Sequence, residues 1–317
     1  MQIDYCLILA AGFGTRMGVI GQKLPKILWP VFEKSLLELQ VAYAKSLGIQ
    51  KIYINLHYMG REIFDYCNKL TAFKDVIFLW EEPVILDIGG AIHNLASQKE
   101  INYRGKVLIL NGDQFFYLRK NELDKILTPL KHHHVLLFTY WVNASLGYNA
   151  LEISEDRYVK GIKKNKDLIP DQKVETYTGI SIIDLNRLDR VEGVSNFFDS
   201  VCPFHKKNIP AVLLENVEYW DFGTVKRYWE TMFHIIRKYK SQASHPFLRF
   251  LVQEKALKTW KIDLNKLSYH SNIDGVINLN QDAYSDCLGP AIILSGIPEE
   301  KNEAFSLYWN GFSEIVR

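Results

Sequence analysis

The chain has 317 residues, 48% hydrophobic and 23% charged, with 38 Lys and Arg against 36 Asp and Glu for a net charge of +2. That length suits one large or two modest domains with a sizeable core, and the near balance of charge leaves no concentrated basic face for a nucleic acid. No window approaches the ~18 uninterrupted apolar residues of a membrane span. The first eleven residues contain Asp4 and lack a basic leader, so they read as a buried strand and not a targeting segment. Cys6, Cys67, Cys202 and Cys287 are scattered without metal-type spacing, the usage of free thiols in a cytoplasmic protein.

Tyr5 to Ala10 is a short apolar run that stops at a glycine loop. Ser35 to Leu47 carries apolar residues at Leu36, Leu37, Leu39, Ala42, Tyr43 and Leu47, a helical spacing closed by Gly48. Strand-like Lys51 to Leu56, helical Tyr58 to Leu70, strand-like Val76 to Trp80, helical Gly89 to Ser97 and strand-like Lys106 to Leu110 follow. This alternation predicts a doubly wound, largely parallel sheet, whose ligands gather beyond the carboxyl ends of the strands. The Gly12 loop and Asp113 both stand at such ends. Beyond Val135 come strand-rich stretches, Val135 to Val142, Ala150 to Ser154, Tyr158 to Lys163 and Thr178 to Asp184. A helix from Thr224 to Tyr239 then follows the acidic loop Trp220-Asp221-Phe222-Gly223. Polar residues and Pro246 predict a boundary near 241–245, dividing a catalytic domain (1–240) from a small, β-rich C-terminal region (241–317). Val276 to Asn278 and Gly289 to Gly296 offer one or two short strands there, without the hexapeptide period of a full solenoid.

The loop after the first strand is the most informative segment. It reads Leu9-Ala10-Ala11-Gly12-Phe13-Gly14-Thr15-Arg16-Met17-Gly18, and after a gap Leu24-Pro25-Lys26 and Pro30-Val31. Glycines let backbone amides turn toward an anion and permit its close approach. Arg16 adds a planar cationic fork for phosphate oxygens, and Lys26 a second positive charge. A dinucleotide fingerprint would need a third glycine where Met17 stands and an acidic residue after the next strand, which instead ends Asn55-Leu56-His57. A P-loop would need a Gly-Lys-Ser/Thr end, which is absent.

This pattern resembles the signature of the sugar-phosphate nucleotidylyltransferases. The likeness extends through Asn111-Gly112-Asp113, Tyr177-Thr178-Gly179-Ile180 and Trp220-Asp221-Phe222-Gly223-Thr224, about the first 235 residues. It implies a Rossmann-like mixed sheet of the nucleotide-diphospho-sugar transferase type with a small C-terminal appendage. It also implies transfer of a nucleoside monophosphate from a triphosphate to a sugar-1-phosphate, with release of pyrophosphate and with Mg²⁺ as cofactor. On this resemblance Arg16, Lys26 and Asp113 are catalytic, and Asp113 and Asp221 hold the metal. Leu9, Ala10, Ala11, Gly12, Gly14, Thr15, Arg16, Lys26, Glu82, Gly89 and Gly112 line the nucleotide. Gly147, Asn149, Lys163, Glu175, Thr178 and Gly179 face the sugar phosphate. The partners implied are these small molecules, with no nucleic acid or membrane, and self-association is left open.

The sequence also departs from the family. Trp80-Glu81-Glu82-Pro83 and Leu86-Asp87-Ile88-Gly89-Gly90 resemble the segment beside the nucleobase, but Val84 and Ile85 are inserted and Asp87 replaces a glycine. Lys163-Lys164-Asn165 stands where the family has Glu-Lys-Pro, so Glu175 is the replacement for the glutamate that reads sugar hydroxyls. GTP is slightly favoured as donor over UTP for uridylyl transfer to N-acetylmuramate- or hexose-1-phosphate. Cytidylyl transfer to phosphocholine and a non-catalytic nucleotide-sugar sensor are the remaining readings; the sensor is disfavoured because Arg16, Lys26 and both aspartates are retained. His132-His133-His134 is read as a structural run, since consecutive side chains entering a strand point in alternating directions.

Overall fold

The computed structural model describes residues 2–215, 218–242, 244–257, 276–278, 291–295, 306–310 and 312–316. The chain divides into two compact units. The first comprises residues 1–12, 43–111 and 116–219; the second comprises 13–42, 112–115 and 220–317.

The first unit is built on a seven-stranded sheet. We label its strands β1 (Tyr5–Leu9), β2 (Lys51–Leu56), β3 (Val76–Trp80), β4 (Lys106–Asn111), β5 (Val135–Asn143), β6 (Lys173–Asp184) and β7 (Ala211–Leu213). Their order across the sheet is β7-β5-β6-β4-β1-β2-β3. Every neighbouring pair is parallel except the two that β6 makes, with β4 and with β5. The central strands read Tyr-Cys-Leu-Ile-Leu, Lys-Ile-Tyr-Ile-Asn-Leu and Lys-Val-Leu-Ile-Leu-Asn and are buried almost throughout. Such unbroken apolar runs belong to strands covered on both faces. The helix Asp87–Ser97 lays Ile92, Leu95 and Ala96 into the same core as Leu7, Ile109 and Leu137. The sheet is the mixed α/β architecture expected. In β1 and β4 the paired residues Leu9 and Asn111 are the last of each strand, so the glycine loop and the Asp113 loop both start from one end of the sheet.

Several elements run longer than their sequence pattern. β6 begins at Lys173, five residues before the expected start, and it shifts register against β5 between Tyr177 and Ser181, where Gly179 takes φ +77°. That irregularity broke the alternation in the sequence. Phe197–Val201 forms a turn of π-helix and Ala211–Leu213 an edge strand, and neither is long enough to show a period.

The second unit is organised around aromatic contacts. Trp29 meets Tyr228 edge-on at 4.9 Å, and Phe247 stacks on Trp220 at 5.3 Å and lies 5.6 Å from Phe115. Tyr228 belongs to the helix Val225–Gln242, and Phe247 to the helix Pro246–Gln253, which has Pro at its first turn and His245 as its N-cap. Both expected C-terminal strands are present, as Val276–Asn278 and Ala291–Ser295, while Gly289, Pro290 and Gly296 lie outside the described residues. They pair in parallel with each other and with Ser306–Trp309, in a register that matches Val276, Ala291 and Ser306, and Phe312–Ile315 closes the sheet antiparallel. That last strand packs beside the short helix Gly18–Gly21 of the glycine loop.

Candidate active site

In the second unit the glycine loop is an open turn held on a buried anchor. Gly14 has φ +63°, in the left-handed region that glycine enters without strain, and its carbonyl accepts from Met17 N at 3.0 Å. Met17 is fully buried and fills the space beside Gly21, where a Cβ would fall 2.2 Å from its own Cβ. Phe13, Thr15 and Arg16 are exposed around this anchor, and the Arg16 side chain retains 62% of its accessibility.

The catalytic candidates of this unit gather. Lys26 Nζ donates to Asp113 Oδ2 at 2.8 Å, and Arg16 Nη2 reaches the same oxygen at 3.4 Å. Asp113 is buried, directly after the buried Gly112. Asp221 is joined to Arg227 Nη1 through Oδ2 at 3.0 Å and to the Gly223 N–H through Oδ1 at 2.7 Å. The two acidic loops are tied by their backbones, Phe222 N–H donating to Asp113 O at 2.8 Å. A Cβ on Gly223 would lie 3.0 Å from Asp221 Oδ1 and 3.1 Å from Asp113 Oδ2. Those oxygens therefore converge on one small space that any side chain at 223 would fill.

The donor set suits a hard divalent cation. Mg²⁺ takes one or two carboxylates together with substrate oxygens and water, and two carboxylate oxygens facing a Cβ-sized space supply that number. Among the described residues no group of three or more His, Cys, Asp or Glu side chains converges, so a cage made wholly of protein ligands is not present there.

Arg227 escaped the sequence reading. It stands in the first turn of the helix Val225–Gln242, where its N–H donates to the Thr224 hydroxyl at 3.1 Å. A cation there opposes the helix dipole, and that misfit was the signal that it serves a nearby carboxylate.

The first unit carries the remaining candidates. Leu9 ends β1, and Ala10 and Ala11 are buried beside the exposed Gly12. Glu82 is exposed just past β3. Gly89 is buried, and a Cβ there would fall 2.4–2.7 Å from Ser200 Oγ and the carbonyls of Ser195 and Asn196. Helix packing thus accounts for the glycine.

Of the sugar-phosphate candidates, Gly147 ends a short turn at φ +81°. Asn149 accepts from Asn165 N–H through its side chain and from the Thr176 hydroxyl through its backbone. Lys163 is exposed and registers against Ala150, the next residue after Asn149. Thr178 is buried, its hydroxyl given to Phe138 O at 2.9 Å. Glu175 does not present its carboxylate as expected. It is buried, accepts from both terminal nitrogens of Arg157 and from Thr139, and so lies on the face of β6 opposite Thr176. His133 and His134 bond the carbonyls of Asn208 and Val201, each at 3.0 Å.

Residues 6–147 match the model of the MobA-like NTP transferase domain. The bifunctional protein GlmU of Idiomarina loihiensis is 31% identical over 193 residues, 60% of this chain and 40% of that protein. The D-glycero-alpha-D-manno-heptose 1-phosphate guanylyltransferase of Campylobacter jejuni is 30% identical over 131 residues, 39% of this chain and 56% of that one. In fold the chain is similar to HddC from Yersinia pseudotuberculosis complexed with GMP-PN, with a TM-score of 0.61 and 22% identity over 73% of this chain and 98% of that one. The family resemblance of the motifs is therefore matched: residues 6–147, under half of the chain, are similar to the MobA-like NTP transferase domain, and relatives of the chain include a heptose 1-phosphate guanylyltransferase. The chain spans well under two thirds of both curated relatives.

Proposed function

We propose that the protein is a sugar-1-phosphate nucleotidylyltransferase that uses Mg²⁺ and takes GTP as its preferred donor. The observation that carries the reading is the approach of Asp113 and Asp221 to one space at Gly223, with Lys26 and Arg16 on Asp113. In this reading the catalytic region is 1–240, and the free, buried thiols of Cys6 and Cys202 support a cytoplasmic setting.

The reaction joins two anions, so charge is the main obstacle and positioned cations are the main remedy. Asp113 and Asp221 would hold the metal, which when bound neutralises phosphate charge and orients the polyphosphate. Lys26 exchanges Asp113 for the α-phosphate, and Arg16 takes the β- and γ-phosphates. Arg227 keeps the Asp221 carboxylate turned toward Gly223. A phosphate oxygen of the sugar-1-phosphate attacks the α-phosphorus; the α–β bridging bond breaks and its electron pair leaves with pyrophosphate. No side chain forms a covalent bond. Gly147, Asn149 and Lys163 are assigned to the sugar phosphate and Glu82 to the base, whereas Glu175 is assigned to holding β6 through Arg157.

Uridylyl transfer is the second reading, favoured by the relationship to GlmU. Pyrophosphate release, measured for each nucleoside triphosphate across a panel of sugar-1-phosphates, separates the cases. Metal-dependent release greatest with GTP is expected. Preference for UTP selects the second reading, and no release with any pair leaves a nucleotide-sugar sensor.

A further inference from the structure

Three hydrogen bonds, two of them buried and the third partly so, join the end of β1 to the start of the helix Asp87–Ser97. Ala10 N–H donates to Asn55 Oδ1 at 2.7 Å, Asn55 Nδ2 donates to Glu81 Oε1 at 2.7 Å, and Leu86 N–H donates to Glu81 Oε2 at 2.8 Å. Asn55 is 4% exposed and Glu81 1%. The orientation of the Asn55 amide is dictated by chemistry. A backbone N–H can only donate, so the oxygen faces Ala10 and the NH₂ faces Glu81. Glu81 then meets a donor at each end. A carboxylate accepts through both oxygens, whereas a glutamine would aim its own NH₂ at one of them.

Burying such groups is costly unless they are paired, and an aliphatic pair would leave the Ala10 and Leu86 N–H groups without these acceptors. What the polar pair adds is a grip on two backbone amides at which the chain leaves the sheet. Ala10 opens into Ala11 and Gly12. Leu86 is the N-cap of the helix and follows Glu82 to Ile85. The surrounding backbone is held in the same way: Glu81 N–H donates to Leu56 O at 2.9 Å, and His57 Nδ1 lies 2.8 Å from Glu81 O.

We infer that Asn55 and Glu81 are positioning residues that lock the start of the glycine loop and the base-side segment 82–86 into one preorganised edge for a nucleoside triphosphate. This rests on the proposed nucleotide site. The pair touches neither phosphate nor base; it fixes Ala10, from which the glycine loop leaves, and Leu86, which closes the segment that carries Glu82, so that binding need not order two loops separately.

The geometry supplies its own test, a reversal of the central bond. In Asn55→Asp two carboxylates face each other, and in Glu81→Gln two NH₂ groups do. In the double variant the aspartate accepts from Ala10 N–H and from the glutamine Nε2, while the glutamine oxygen accepts from Leu86 N–H, so all three bonds return. The full-length protein and the three variants are compared for KM and kcat with GTP, for thermal melting, and for hydrogen–deuterium exchange of the peptide covering residues 6–12. Each single variant is expected to raise KM for GTP by ~10-fold, with a smaller change in kcat and faster exchange at Ala10. The double variant is expected to recover both. Single variants that melt lower yet keep the wild-type KM, or a double variant as impaired as the two singles combined, overturn the inference. A wild-type protein inert toward every triphosphate overturns the nucleotide reading itself. That failure is distinguishable, because the exchange experiment reports the coupling without substrate.

Discussion

Gly223→Ala tests the convergence of the two aspartates most directly, because it removes no functional group. The added methyl would sit 3.0 Å from Asp221 Oδ1 and 3.1 Å from Asp113 Oδ2, with Asp113 Cγ at 3.5 Å. Ordinary contact between such atoms begins near 3.4 Å, so each oxygen must give way by a few tenths of an ångström. Neither is free to do so. Asp221 Oδ1 is held at 2.7 Å by the Gly223 N–H, and Asp113 Oδ2 at 2.8 Å by Lys26. Overpacking of this kind costs about 1–3 kcal/mol. Where the strain falls on carboxylates that must hold a metal in the transition state, the same energy lowers kcat/KM by ~5- to ~150-fold. The assay is the initial rate of pyrophosphate release as a function of Mg²⁺ concentration, with a thermal melt to separate strain taken up by the fold. A lower kcat/KM and a higher metal requirement in a folded variant are expected. A folded variant with the wild-type rate and metal titration refutes the view that Asp113 and Asp221 act as a pair.

Lys26→Ala removes the cation nearest Asp113 and is expected to lower turnover by ~10²-fold or more with an unchanged circular dichroism spectrum; near-normal pyrophosphate release would refute its role. Glu175→Gln leaves Arg157 without its carboxylate, so urea denaturation should show a loss of ~1–3 kcal/mol while sugar preference stays as in the wild type. A changed sugar preference at full stability would return Glu175 to the sugar site. Burial pushes the imidazoles of His93 and His134 below the ordinary 6.5. As pH falls below about 6.5 the unfolded chain takes up protons that the folded chain resists, so this contribution to stability is present above about 6.5 and lost on acidification. The urea midpoint should be lower at pH ~5.5 than at pH ~7.5, and the gap should narrow in His134→Gln, which can still donate to Val201 O; an unchanged gap in both His134→Gln and His93→Gln would refute the assignment.

The parts of this molecule most legible in sequence are those whose cause is local. β2 and β3 fall at the expected residues, because a fully covered parallel strand needs an apolar run and nothing else to show itself. The glycine loop was readable for a similar reason: Gly14 at positive φ and Arg16 beside it are single-residue requirements. Pairings over long separations leave no such mark. Asn55 counted in the sequence only as the wrong residue for a dinucleotide site, and its partners lie 45 residues before it and 26 after. Glu175 is the complementary case. A carboxylate was sought near the sugar, and this one was close in sequence, but strand alternation turns it to the face opposite Thr176, where Arg157 holds it. Arg227 lies between these extremes, since a cation in the first turn of a helix is locally unfavourable and so advertises a partner without naming it. In each case the sequence reveals a residue's local strain or preference, whereas the partner that resolves it is supplied by topology. The acidic loops could be nominated from their motifs; that both lean on Gly223 required the fold.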